Sequence, residues 1–231
     1  MVLGNPSTDS FALRGRRLGK RMKALGQRAR RSTHPGLDGL DLKIAEYVDF
    51  EGGFYVEAGA NDGYAQSNTF HLERQRGWSG VLVEAIPELA DKCARRRPRS
   101  SVVNCALVAD DFTEKTIPVR YAGLMSLVDG AQGDADAERR HVLDGLAVQG
   151  LTQTYTVEVV ARTLTSVLVE HSAPPVIDLL SLDVEGYELN VLRGLDFARF
   201  RPRIMVIEAR LSVHDLLYID TRGFDGTTPG A

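Results

Sequence analysis

At 231 residues, 43% of them hydrophobic and 26% charged, the chain has the make-up of one globular domain with an arm and carries a net charge of −3. No apolar run is long enough to span a bilayer, and Val2 and Leu3 lead into polar residues rather than a secretory core, so a cytoplasmic protein is expected. The only cysteines, Cys93 and Cys105, have neither metal nor redox spacing, which excludes a disulfide framework.

Charge divides the chain. Residues 14–31 hold nine Lys or Arg and no acid, whereas residues 32–231 hold 19 basic and 30 acidic residues. Leu18, Met22 and Leu25 fall at helical spacing, so residues 1–37 read as a basic arm and linker. The arm is expected to be a solvated helix that packs on the acidic body or a second subunit. Contact with an anionic membrane surface is the weaker alternative, and no clear nucleic-acid signal is present. Residues 38–231 read as the domain proper.

Leu42, Ala45 and Val48 predict a helix that closes at Gly52-Gly53. Phe54-Tyr55-Val56 then begins a strand, and Ser67 or Asn68 is placed to cap a helix reaching Arg76. Gly80–Glu84 predicts a second strand, and Pro87 opens a helix where its missing N–H costs nothing. Residues 101–108, Val176–Leu182 and 204–207 predict three more strands, with a helix at about 185–192. Continuous apolar strands alternating with helices indicate a mostly parallel α/β sheet with helices on both faces. Between the third and fourth strands lie alternating segments near 116–121 and 155–160 and a helix near 135–146. Residues 121–150 are the expected substrate-facing insertion.

The first strand runs into Glu57-Ala58-Gly59-Ala60-Asn61-Asp62-Gly63, whose glycines allow a tight bend close to a ligand. The second strand ends in Glu84, 21 residues after Gly63, where a carboxylate can accept from both hydroxyls of a ribose. A dinucleotide site would want Gly-x-Gly-x-x-Gly, but Asn61 interrupts that pattern. Glu57, Asp62 and Asp183 repel a pyrophosphate and suit a sulfonium with an amino group.

Residues 54–63, Ser67-Asn68-Thr69 with Leu72-Glu73, and Gly77–Pro87 resemble the FkbM-type methyltransferases. The likeness continues through Asn104–Leu107, Met125-Ser126-Leu127, Asp178–Leu189, Val191–Gly194 and Ile204–Glu208, in order, over roughly residues 40–210. It implies a class I methyltransferase (Rossmann-like) sheet, S-adenosylmethionine as cofactor, and O-methylation of a small hydroxylated acceptor such as a sugar or natural-product scaffold. Carried over, Glu57, Gly59, Ala60, Asn61, Asp62 and Gly63 would surround the methionine moiety. Ser67 and Asn68 would hold its carboxylate and Glu84 the ribose. Ala85, Ile86, Cys105 and Ala106 would enclose adenine.

Asp183 and Glu185 share a strand face if the fourth strand extends that far, and two close carboxylates raise one another's pKa toward the range of a general base. Glu185 as a helix cap is an equally good reading. Asp183 also counts among the cofactor ligands, and with Glu208 it offers oxygens to a divalent cation that no spacing requires. His141, in the insertion, is the strongest histidine candidate for catalysis; Cys105 and Trp78 read as packing residues. Thr165 stands where the family usually has Asp, and Thr can also cap. The stretch after Glu208 predicts one short strand at Leu216–Ile219, so the sheet is expected to be abbreviated at the C-terminus or completed by another chain, including a homo-oligomer. Rival readings are a degenerate methyltransferase fold serving as a binding module and, more remotely, a nucleotide-dependent oxidoreductase.

Overall fold

Local chemistry sets where each element starts. In the computed structural model, which describes residues 33–209 and 214–219, a single turn of 3-10 helix at Leu37–Gly39 leads into α1 (Leu40–Ala45). The basic stretch 14–31 and the final residues 220–231 lie outside the described residues. β1 (Phe54–Ala58), α2 (Phe70–Arg76), β2 (Ser79–Glu84), α3 (Pro87–Arg96) and β3 (Ser101–Asn104) follow. Gly77 closes α2 in the left-handed region at φ 66°, and Pro87 occupies the first turn of α3 as expected.

β4 (Ala106–Val108), β5 (Thr116–Arg120), β6 (Leu127–Val128), α4 (Ala135–Gln149) and β7 (Thr156–Thr163) come next. The chain then forms α5 (Leu164–Glu170), β8 (Val176–Leu182), α6 (Glu188–Arg193), β9 (Arg201–Ala209) and β10 (His214–Ile219).

The main sheet has the order β10-β9-β8-β1-β2-β3 and is parallel except for β10, which runs antiparallel to β9. Successive residues of each strand point to opposite faces. Val56, Ala58, Val81, Val83, Leu180 and Leu182 pack on one face with Leu164, Val167 and Leu168 of α5 and Val191 of α6. Tyr55, Leu82, Leu179, Ile204 and Val206 pack on the other with Ile44 of α1, Leu72 of α2 and Cys93 of α3. Covering both faces is what requires the near-continuous apolar strands. Trp78 is fully buried in the second layer, its indole N–H donating to the Phe50 carbonyl at 2.9 Å.

Strand order reverses between β1 and β8, which opens a crevice at their carboxyl ends. At those ends Glu57, Glu84 and Ser181 take the next positions on the same face as Tyr55, Leu82 and Leu179. Polar groups thus replace the apolar layer where the strands end.

Two expectations need correction. The third strand does not run unbroken through residues 101–108: it breaks at Cys105, and β4 leaves the main sheet to pair with β7. The break is fixed by Asn104, whose side-chain amide donates to the carbonyls of Glu84 and Ala85 at 2.9 Å each. An apolar run carries no sign of such a side chain-to-backbone contact. Thr165 does not cap α5. Thr163 does, accepting from Ser166 N at 3.1 Å, while the Thr165 hydroxyl donates to the Gly194 carbonyl at 2.9 Å.

The insertion builds a second sheet, β4-β7-β5-β6, with α4 leaning on it. No helix among the described residues is long and apolar enough to cross a membrane.

Candidate active site

The crevice is a cleft that encloses roughly 910 Å³, open solvent included. From the main sheet it is lined by Glu57, Gly59, Asn61, Ser67, Asn68 and Glu84. Ala85, Cys105, Ala106, Asp183 and Glu185 complete that side, and Gly123, Leu124, Ser126, Leu127 and Val128 of the insertion form the facing wall. Gly59 and Glu84 therefore open onto one space.

The bend after β1 is held from two sides. The amides of Gly59 and Ala60 both donate to the carbonyl of Val83, at 3.0 and 3.1 Å. Asn61 N donates to Glu84 Oε2 at 2.7 Å, and Ile86 N donates to Oε1 at 2.8 Å. These bonds aim the carboxylate and leave lone pairs on both oxygens for a ligand. Burial pushes the Glu84 carboxyl up to about 7, against the lowering effect of the two amides.

Ala60, Asp62, Gly63 and Ile86 stand behind the wall rather than on it. Ala60 and Ile86 are buried in the core, and Gly63 lies against Cys93 and Arg97. Asp62 folds back on its own loop, accepting from Tyr64 N at 3.0 Å and Ala65 N at 2.9 Å and pairing with Arg96. Burial works against its charge, but the Ala65 amide and the Arg96 guanidinium win and hold Asp62 below the usual carboxylate range.

Glu57 organises the opposite wall. Its carboxylate accepts from Ser67 Oγ at 2.9 Å, Asn68 N at 2.9 Å and Thr69 Oγ1 at 2.5 Å. The Ser67 oxygen in turn accepts from Phe70 N at 3.1 Å, capping α2 from three residues upstream. Ser67 and Glu57 are thus engaged within the protein. Asn68 is different: Nδ2 donates to Ser181 Oγ at 3.1 Å, while Oδ1 is buried with no hydrogen-bond partner in the structure. Asn68 lines the cleft, and that oxygen keeps its acceptor capacity.

Arg97 is the residue that sequence reasoning missed. Its fully buried guanidinium donates to Glu73 at 2.9 Å, Gly63 O and Ser67 Oγ at 3.2 Å each, Tyr55 OH at 2.6 Å and Thr69 Oγ1 at 2.8 Å. Glu57 lies 3.5 Å away. In the sequence it sits in Arg95-Arg96-Arg97-Pro98-Arg99, which reads as an ordinary charged helix end. The Pro after it, ending the helix, is the only hint.

At the end of β8, Asp183 opens onto the cleft floor, with oxygens of Asp183, Glu185 and Glu208 all within 4.8 Å of one another. The crowded walls, then the charges of Glu208 and Glu185, raise the Asp183 carboxyl well above its ordinary value. The strand does not extend to 185. Glu185 comes back through a left-handed residue at φ 58°. Nor does Glu185 cap α6, whose N-cap position, Tyr187, makes no side-chain cap; Glu188, at the first helical position, reaches back to accept from Val184 N and Gly186 N at 3.1 Å each. Glu185 instead meets the insertion. His141 Nε2 lies 3.4 Å from its carboxylate and 3.0 Å from the Met125 carbonyl, and Gln132 Nε2 donates to the Glu185 carbonyl at 2.7 Å. Burial pushes the Cys105 thiol up to about 12, so it lines the cleft as a neutral group.

The model of the methyltransferase FkbM domain matches residues 57–221. No curated protein matches. Among solved structures, a TehB-like SAM-dependent methyltransferase from Corynebacterium glutamicum is 14% identical, with 81% of this chain and 72% of that one covered, at a TM-score of 0.35. A SAM-dependent methyltransferase from Thiobacillus denitrificans, in complex with S-adenosyl-L-homocysteine, is 10% identical over 81% of this chain and 54% of its own, at 0.33. YjhP from E. coli is 11% identical over 83% and 55%, at 0.33. This chain spans about half the length of the latter two. The domain match runs from the Glu57 bend through both walls of the cleft to β10, most of the chain, and by it the protein belongs to the FkbM methyltransferase family.

Proposed function

We propose that the protein is an S-adenosylmethionine-dependent O-methyltransferase acting on a hydroxyl of a small acceptor such as a sugar or natural-product scaffold. The observation that carries this reading is the single cleft onto which the Gly59 bend and the Glu84 carboxylate both open. The residues fit the cofactor. Gly59 leaves the backbone bare at the bend, Glu84 keeps acceptor capacity for a ribose, and Asn68 Oδ1 awaits a donor. Ala85, Cys105 and Ala106 supply a small, uncharged surface for adenine.

When bound, the cofactor supplies an electrophilic methyl group. The chain's own part is to position the acceptor and take its proton. In-line displacement gains chiefly from positioning, and the Leu124–Val128 wall faces the Asp183–Glu185 end of the cleft where an acceptor would lie. Glu185 is the proposed proton acceptor, with His141 as its partner, and Asp183 lines the same end of the cleft as a second polar contact for the acceptor.

Calorimetry with S-adenosylhomocysteine tests the cofactor assignment. Micromolar binding is expected, weakened about ten- to a hundredfold in Glu84→Ala. No heat of binding for either the cofactor or its product would remove the assignment. Transfer of a labelled methyl group to a panel of hydroxylated acceptors tests the chemistry. Glu185→Gln is expected to lower kcat by about 10²–10⁴-fold with cofactor affinity little changed. Labelling confined to amine or carbon acceptors would refute O-methylation.

A further inference from the structure

Outside the cleft, three side chains unused by the methyl-transfer reading converge. His34 precedes the turn at Leu37–Gly39, Asp41 lies in the first turn of α1, and His71 lies in the first turn of α2. His34 Nδ1 is 3.5 Å from Asp41 Oδ2, and His71 Nδ1 is 4.0 Å from the same oxygen. One donor atom from each of the three lies within 4.8 Å of the other two.

The surroundings of these atoms suggest a missing partner. Asp41 is 0% exposed and His71 1%. Asp41 Oδ1 is oriented by Leu42 N at 3.0 Å and sits so close to Gly36 that a Cβ there would lie 2.5 Å from it. Asp41 Oδ2 has no hydrogen-bond partner, and neither nitrogen of His71 has one. Buried polar atoms are seldom left this way, because each loses its water and gains nothing in return. The two imidazoles are tilted by 38° with centroids 5.0 Å apart.

We infer that His34, Asp41 and His71 bind a divalent transition-metal ion of the zinc class, at a site separate from the cofactor cleft. A tetrahedral ion with ligands at about 2.1 Å sets neighbouring donor atoms about 3.4 Å apart. The His34–Asp41 distance is already near that value, and the His71–Asp41 distance needs to close by a few tenths of an ångström. Two imidazoles and one carboxylate favour zinc, cobalt or nickel over magnesium or calcium, which prefer oxygen. The contacts that fix Asp41 Oδ1 act as the outer support that metal-binding carboxylates usually have. Burial keeps the His71 imidazole neutral, as a ligand must be. The cations nearest it, Arg76 and Arg97, are paired with Asp49 and with Glu57 and Glu73.

Such an ion bolts residues 34–45 onto α2. Leu37 and Leu40 of that segment line a second cavity together with Gln66, Asn68, Asp183 and Glu208, so the bolt would fix the outer side of the cleft floor.

The test uses the full chain, stripped with chelator and titrated with Co²⁺ alone. One equivalent is expected to bind and give the visible d–d bands of a four-coordinate ion, bleached by Zn²⁺. His34→Ala, at the partly exposed ligand, is expected to weaken binding about a hundredfold, and Glu208→Gln to leave it unchanged. Should His34→Ala fail to fold by circular dichroism, His34→Gln retains the bulk and is expected to show the same loss. Absence of stoichiometric Co²⁺ binding would overturn the inference. So would wild-type affinity in a folded His34 variant, or loss of binding in Glu208→Gln, which would place the ion at the cleft carboxylates.

Discussion

A β-carbon built on Gly59 would stand 1.8 Å from the carbonyl oxygen of Asp183. The ends of β1 and β8 meet there, where Asp183 N donates to the Ala58 carbonyl at 3.1 Å, and Gly59 also lies at φ 81°, where a side chain is strained. Two independent penalties fall on one residue. Gly59→Ala is expected to destabilise the fold by about 3 kcal/mol or more and to abolish S-adenosylhomocysteine binding. Urea unfolding and calorimetry check this. A variant with wild-type affinity would show that the strand ends can separate without disturbing the cleft.

As the proposed ribose ligand, Glu84 predicts a pH dependence of cofactor binding. Burial raises its carboxyl to about 7, and a ribose hydroxyl donates best to the charged form. Affinity for S-adenosylhomocysteine should therefore rise as pH increases through about 7 and level off above it. Glu84→Gln should bind more weakly at high pH and lose the dependence across this range. Equal pH profiles for the two proteins would remove Glu84 from the cofactor's ligands.

Arg97 predicts a large structural effect. Removing its charge leaves Glu57 and Glu73 buried without their cation, while the hydroxyls of Tyr55, Ser67 and Thr69 lose a donor. Arg97→Met is expected to cost about 3–5 kcal/mol in urea unfolding, far more than Arg95→Met in the same basic run. Similar losses for the two would mean the network can rearrange.

His71 predicts acid sensitivity in the metal-stripped protein. Burial first, then the charges of His34, Arg76 and Arg97, lower its pKa to about 4, below the unfolded value of about 6.5. The unfolded chain binds the proton more readily, so the contribution is fully present above pH 6.5 and disappears as pH falls toward 4. The amount is about 3 kcal/mol. Unfolding of wild type and His71→Leu at both ends of this window measures it. The variant's stability should fall less on acidification.

How much of this was legible in the sequence follows from how local each signal is. β1, β2 and β8 are apolar runs whose boundaries hardly moved, because strands buried on both faces need apolar residues throughout. The Gly59 bend and Glu84 were legible because glycine and a strand-end carboxylate carry chemistry of their own. Arg97 and Asn104 were not, since they act through contacts as far as 42 and 20 residues away that no short pattern encodes. His34, Asp41 and His71 come from three separate elements, and only the fold brings them together.

Because Arg97 and Glu57 already clamp residues 67–69, one bank of the cleft is finished before any ligand arrives. Little freedom remains there to be lost on association, so ligand capture should behave as entry into a ready-made mould, with a single kinetic phase whose rate scales with ligand concentration.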